Sequence, residues 1–237
     1  MGQFRYEIHC HTKQASLCGR LTGAQVAEYY YDKGYQGIIV TDHFFNGNCA
    51  ISPELPWKER VERFFDGYRD AKTAGEKLGL QVLCGWEYNY LTTEFLTYGL
   101  DISWLIDNPD ILSLSPEEYC NIVHRAGGFI IHAHPFRERS YISYFRLFPN
   151  YVDAVETVNA AHHMFPEFDK RADFYATSYK LKKVVGSDFH FEWPGGLCAM
   201  DFEEPLTDTK HFIRLVSEGR YSNWRLDTDG RVIARIN

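Results

Sequence analysis

His9 and His11, in the run Tyr6-Glu7-Ile8-His9-Cys10-His11-Thr12, stand two residues apart at the end of a short stretch with strand character. If Phe4 to Ile8 form a strand, the period-two geometry of extended chain turns both imidazoles to one side where that strand ends. Such a pair has a metal-ligand geometry, although alone it is as readily an ordinary strand pair, and the chain supplies partners at intervals: Thr41-Asp42-His43, Gly85-Trp86-Glu87, His132-Ala133-His134-Pro135 and Gly186-Ser187-Asp188-Phe189-His190. Each follows a short apolar run that reads as a strand. The pattern predicts strand ends that converge, with a multinuclear metal site where they meet.

The segments between these runs read mainly as helices. Leu21 to Lys33 carries Leu21, Val26, Tyr29 and Tyr30 at helical spacing, with Thr22 as N-cap and Gly34 as stop, and a strand at Gly37 to Thr41 completes a βαβ unit. Pro53 to Trp57 opens one long charged helix reaching about Leu78. Gln81 to Gly85 is then a strand ending in Trp86-Glu87, and a further strand is expected over Phe95 to Leu100. Pro116 to Arg125 is a helix capped by Ser115, and Phe129 to Ile131 is a strand delivering His132 and His134. Val152 to Val155 delivers Glu156 and Asn159. After a helix over Pro166 to Tyr179, Lys183 to Gly186 delivers Ser187, Asp188 and His190. Asp208 to Ser217 is the last helix, and Tyr221 to Asn237 forms a hairpin turning at Asp229-Gly230. This alternation predicts a mainly parallel sheet in an α/β, TIM-like barrel, with its chemistry at the carboxyl ends of the strands. No repeat, low-complexity run or linker divides the chain, so residues 1–237 are expected to form a single domain.

Composition narrows the partners. A formal charge of -7 and the lack of a Lys/Arg block argue against a stable nucleic-acid complex. No uncharged apolar run approaches the roughly 18 residues needed to cross a bilayer, and no leader-like segment opens the chain, so a soluble cytoplasmic protein is expected. The six cysteines lack Cys-x-x-Cys spacing and read as free thiols.

Imidazole and carboxylate donors together suit zinc, manganese or iron. A carboxylate can bridge two such cations about 3.5 to 4 Å apart, and a water between them is then a hydroxide nucleophile near neutral pH. In matching order, His9-x-His11, Thr41-Asp42-His43, Glu87, Ala133-His134-Pro135, Glu156-x-x-Asn159 and Gly186-Ser187-Asp188-x-His190 resemble the PHP family, named for its polymerase and histidinol phosphatase members. The likeness runs from about Tyr6 to His190. It implies a distorted seven-stranded (β/α)7 barrel and a metal-dependent phosphoesterase. It further implies that His9, His11, Glu87 and Asp188 hold one metal, that Glu87 bridges to a second bound by His134, and that His43 and His190 belong to a third. Glu87, Asp188 and His190 are the expected catalytic residues. One to three divalent cations per chain are expected, with a small phosphorylated metabolite or nucleotide as substrate.

Two departures from the family pattern stand out. Between Lys13 and Gly19 there is no carboxylate or imidazole to complete the third site; Cys18 could coordinate a soft metal, although a small buried thiol is the commoner fate. In Glu94 to Leu100, where many members place a His for the second metal, there is none. Arg137 is a candidate phosphate clamp whose alternative is a salt bridge with Glu138; Arg20 is another, and Asn159 a candidate substrate contact. Glu156 and Asp42 are candidate supports, Asp42 for His43. His132 is read as a hydrogen-bond partner of metal-bound groups ahead of a substitute ligand, and His162 and His163 as either substrate- or metal-binding residues or an exposed loop pair. His124 and His211 read as surface residues, and Trp86, Tyr88 and Tyr90 as packing more than pocket wall. A C–N bond hydrolase on the same barrel, deaminase or amidase, and a catalytically silent metal-binding module are the alternative functions.

Overall fold

The structure, a computed structural model, describes residues 4–192 and 194–236. The expected single unit 1–237, and the tail hairpin to Asn237, extend in part beyond these residues.

The chain begins with β1 (Phe4–Cys10), α1 (Gly23–Asp32) and β2 (Gly37–Val40). A capping box between Thr22 and Gln25 fixes the start of α1. Two helices follow, α2 (Trp57–Phe64) and α3 (Asp66–Leu78), where one was expected. Phe64 and Phe65 are both buried, and adjacent positions on an unbroken helix diverge by about 100°. The break lets both rings enter the core, and Arg69 donates to the Glu62 carbonyl at 2.6 Å beside it.

Next come β3 (Gln81–Cys84), β4 (Trp86–Tyr90), β5 (Thr93–Tyr98), α4 (Ile102–Ile106), α5 (Pro116–Arg125) and β6 (Phe129–Ala133). Glu87 therefore lies within a strand of its own, after Gly85 ends β3. Then follow β7 (Ala154–Asn159), α6 (Pro166–Tyr179), β8 (Lys182–Gly186), β9 (Leu197–Phe202), α7 (Thr209–Glu218), β10 (Tyr221–Leu226) and β11 (Val232–Ile236). Glu156, expected past the end of its strand, sits inside β7.

The strands form two sheets, ordered β11-β10-β9-β1-β2-β3 and β4-β5-β6-β7-β8. Pairing is parallel for β1-β2, β2-β3, β6-β7 and β7-β8, and antiparallel for β1-β9, β9-β10, β10-β11, β4-β5 and β5-β6. The expectation of a mainly parallel sheet is thus corrected to a mixed one: β4-β5 and β10-β11 are hairpins, and β5-β6 and β9-β10 pair antiparallel even though helices lie between them in the chain. The sheets meet at two seams through isolated bridges, His43 with Glu87 and Cys10 with Phe189. Tyr6, Ile8, Leu96, Tyr98, Ile131, Val184, Met200 and Phe212 fill the space between them. Among the described residues no helix is long and apolar enough to cross a membrane.

Candidate metal centre

The two seams place the ends of β1, β2, β4, β6 and β8 side by side, and the site is built from what those ends carry. His9 Nε2 lies 3.3 Å from Glu87 Oε1 and 3.4 Å from Asp188 Oδ1. His11 Nε2 lies 3.2 Å from Asp188 Oδ1. His134 Nε2 is 3.2 Å from Glu87 Oε1, and His43 Nδ1 is 2.6 Å from Glu87 Oε2. His190 Nε2 is 3.3 Å from His43 Nε2. Glu87 is fully buried, as are His9 and His11.

Five atoms facing this centre, His9 Nε2, His11 Nε2, His43 Nδ1, Glu87 Oε2 and Asp188 Oδ1, are buried without a hydrogen bond. Buried polar groups are almost always paired, so a cluster of orphans calls for a shared partner. Four groupings, His9-His11-Glu87, His9-His134-Asp188, His11-His43-His190 and His43-Glu87-Glu94, each bring their donor atoms within 4.8 Å of one another. Imidazole and carboxylate donors at such separations fit divalent transition cations.

The charge states agree. Burial pushes the Glu87 carboxyl up, but His43 and His9 hold it well below the usual range; Arg137 and His9 do the same for Asp188. Both acids are thus ionised, as ligation requires. The Cys18 thiol is raised by burial but brought down to about 6 by His190 and His43.

A surrounding layer fixes the rings. His9 Nδ1 meets Glu156 Oε1 at 2.8 Å, while Glu156 Oε2 accepts from Asn159 Nδ2 at 2.8 Å and from the His134 amide at 3.1 Å. His11 Nδ1 meets Ser16 Oγ at 3.2 Å, and Ser16 donates to Asp42 at 2.7 Å. With Nδ1–H engaged in each ring, the Nε2 lone pair faces the centre. His190 Nδ1 is likewise engaged, at 2.9 Å from the Asp188 carbonyl. His134 and Asp188 adopt positive φ, 28° and 53°. Non-glycine residues do so rarely, and such backbone recurs at functional sites.

Other sequence candidates fall elsewhere. The turn of backbone at His134 breaks the strand alternation, so His132 points away and packs against Phe95, Phe148 and Tyr175. It therefore does not support metal-facing groups as expected. Asp42 takes Thr12 and Ser16 as partners, bracing His11 instead of the His43 ring. Asn159 is buried behind Glu156, its amide engaged there, and the Arg20 guanidinium lies 4.4 Å above the Phe191 ring. Arg137 bonds Asp188 directly, and its Nε donates to His162 Nε2 at 3.2 Å; Glu138 pairs instead with Arg171. His162, far from being an exposed loop residue, is buried between Arg137 and Asp169, whereas His163 is exposed. His124 pairs with Asp153 at 2.9 Å and His211 meets Thr207, both away from the centre. Trp86 and Tyr88 are core residues.

Three contributors went unread in the sequence. Glu94 Oε2 is 3.6 Å from His134 Nε2, standing where no His is found. Glu7, two positions before His9 in β1, takes the Ser187 hydroxyl and amide and the Tyr30 hydroxyl; burial pushes its carboxyl up to about 7. Ser16 is the third. A charged or polar residue inside an otherwise buried strand was the available signal for both acids. A cavity of about 700 Å³ opens over the centre, lined among others by Cys18, His43, Asn46, Glu94, Arg137 and Tyr141.

Comparison with known proteins gives the same frame. A family described as PHP-associated matches residues 166–221. A two-domain Bacteroides vulgatus protein containing a predicted PHP-like metal-dependent phosphoesterase superposes with a TM-score of 0.70 at 13% identity, over 95% of this chain and 65% of that one. The chain thus spans less than two thirds of that protein. A Bifidobacterium adolescentis protein described as a candidate metal-dependent phosphoesterase gives 0.58 at 19% identity, covering 89% and 95%. A Chromobacterium violaceum amidohydrolase with bound sulfate gives 0.55 at 15%, covering 94% and 98%. No curated protein sequence matches. Fold and donor set define a mixed α/β protein with a polar centre suited to cations. Residues 166–221 thus resemble a PHP-associated family, and the chain shares its fold with PHP-like proteins.

Proposed function

We propose that the chain is a metal-dependent phosphoesterase acting on a small phosphorylated metabolite or nucleotide. The observation that carries this reading is the group of buried, unpaired imidazole and carboxylate atoms at the seam between the sheets. His9, His11, His134, Glu87 and Asp188 would hold two cations with Glu87 between them, and His43 and His190 would belong to a third position. Zinc, manganese or iron there would acidify a bound water and offset charge on a phosphoryl group. Glu156 and Ser16 keep the rings turned inward. Arg137, braced by Asp188 and His162, lines the cavity and offers its remaining N–H groups to a phosphoryl oxygen. The cavity's volume leaves room for an organic group beyond the phosphate. The two sheets, leaning together at both seams, act as a distorted barrel in one unit.

The test is phosphate release from a panel of phosphomonoesters and diesters by protein loaded with each metal. Release should depend on metal and fall in Glu87→Ala and Asp188→Ala by more than the roughly 100-fold that substitutions outside the ligand shell reach. An absence of metal-dependent release above these variants overturns the reading. Ammonia release from amides or nucleobases in a parallel arm would replace it with a C–N hydrolase.

A further inference from the structure

The loop joining β1 to α1 carries Cys18, and several contacts fix where it points. The Ser16 amide donates to the Thr12 carbonyl at 2.9 Å, Leu17 to Asn48 at 3.0 Å, Gly19 to Ser16 at 3.0 Å and Arg20 to His190 at 2.9 Å. Gly19 packs so closely that a Cβ there would lie 2.7 Å from the Thr12 carbonyl carbon. Cys18 is thus held at the cavity wall, with Sγ 3.2 Å from His43 Nε2. His43 Nε2 in turn lies 3.3 Å from His190 Nε2, and His190 Nδ1 is already engaged by a carbonyl. Three donor atoms, two nitrogens and one sulfur, therefore face one another. His11 closes the inner side: it is fully buried, its Nε2 has no hydrogen bond, and its donor lies within 4.8 Å of those of His43 and His190.

Zinc binds sulfur at about 2.3 Å and imidazole at about 2.0 to 2.1 Å, so tetrahedral donors stand roughly 3.3 to 3.6 Å apart. The observed separations are close to that range. An ordinary thiol–imidazole hydrogen bond explains the Cys18–His43 contact alone, but not the second imidazole turned to the same point.

We propose that Cys18 is the ligand completing the third cation position, with His43 and His190, so that this position is a sulfur-containing site favouring thiophilic cations such as zinc. Its two neighbours around Glu87 present only nitrogen and oxygen. The thiol proton leaves to solvent when the cation binds. An open direction toward the cavity remains, the arrangement of catalytic zinc sites with three protein ligands. This proposal rests on the metal-centre reading above, and the test separates the two.

Metal-free protein is titrated with Co2+ and its absorption followed. A sulfur-to-cobalt charge-transfer band is expected, lost in Cys18→Ser and retained in Cys49→Ser, whose cysteine is also partly exposed. Elemental analysis should find one equivalent of metal fewer in Cys18→Ser, with circular dichroism unchanged. Independently of any variant, X-ray absorption of the zinc-loaded wild type should show a sulfur neighbour at about 2.3 Å. Co2+ bound without the band, a zinc shell of nitrogen and oxygen only, or full occupancy in Cys18→Ser overturns the assignment of Cys18 and leaves the metal centre standing. Wild-type protein that binds no Co2+ or Zn2+ removes both.

Discussion

His9 in β1 and His11 just past its end face one centre, yet they are braced by different chemistry: a carboxylate behind His9, a serine hydroxyl behind His11. The carboxylate raises the basicity of its imidazole and also anchors the His134 amide, so Glu156 orients two donors at once. Glu156→Gln keeps the shape and removes the charge; metal affinity, measured by competition with a chromophoric chelator, should fall about 10- to 100-fold. Most of the residues gathered at the centre were legible in the sequence, because a histidine or acid just after a buried strand has few other places to point. Glu94 was not, and Cys18 reads more readily as a buried thiol than as a ligand. Neither is of a type that the family pattern leads one to look for at its position, and their nearness to His134 and His43 is set by the register of the β4-β5 hairpin and by a loop, which spacing alone does not reveal. His132 was misdirected for a related reason: strand alternation holds only while the backbone stays extended, and at His134 it does not.

At the level of elements, the close approach of α1, α3 and the loop after β1 supports the centre from outside. Gly67 lies against Thr12, where a Cβ would come 2.8 Å from the Thr12 Cβ and also collide with its hydroxyl. Thr12 in turn holds Asp42. Gly67→Ala should therefore cost about 1 to 3 kcal/mol in urea unfolding through overpacking. Helices were the more readable elements, since capping residues mark their ends: Ser115 with Glu118, and Asp208 ahead of α7. The strand β9 escaped notice because Leu197-Cys198-Ala199-Met200-Asp201-Phe202 contains no β-branched residue, and only its burial beside β1 makes it a strand. The break between α2 and α3 was visible only as two consecutive phenylalanines, which helical periodicity tolerates until tertiary packing demands both.

On the scale of the whole molecule, the sheets are joined at their seams by few backbone bonds, and the acids sit at both: Glu87 in the bridge of one, Asp188 beside Phe189 at the other. Cations that bind only the native state stabilise it by mass action, about 4 kcal/mol at a thousandfold excess over the dissociation constant. Removing them with a chelator should lower the thermal midpoint by roughly 8 to 16 °C, reversibly on readdition, as followed by calorimetry. An unchanged midpoint would mean that nothing bound there.

The contact between Glu7 and Ser187 joins positions 180 residues apart. A newly made polypeptide therefore has no pocket to offer until nearly all the length between them has emerged and collapsed. On the proposed function, loading with cations would follow assembly of the backbone and could not seed it. On the same reading, a chain folded without its cations would be a finished scaffold awaiting its charge.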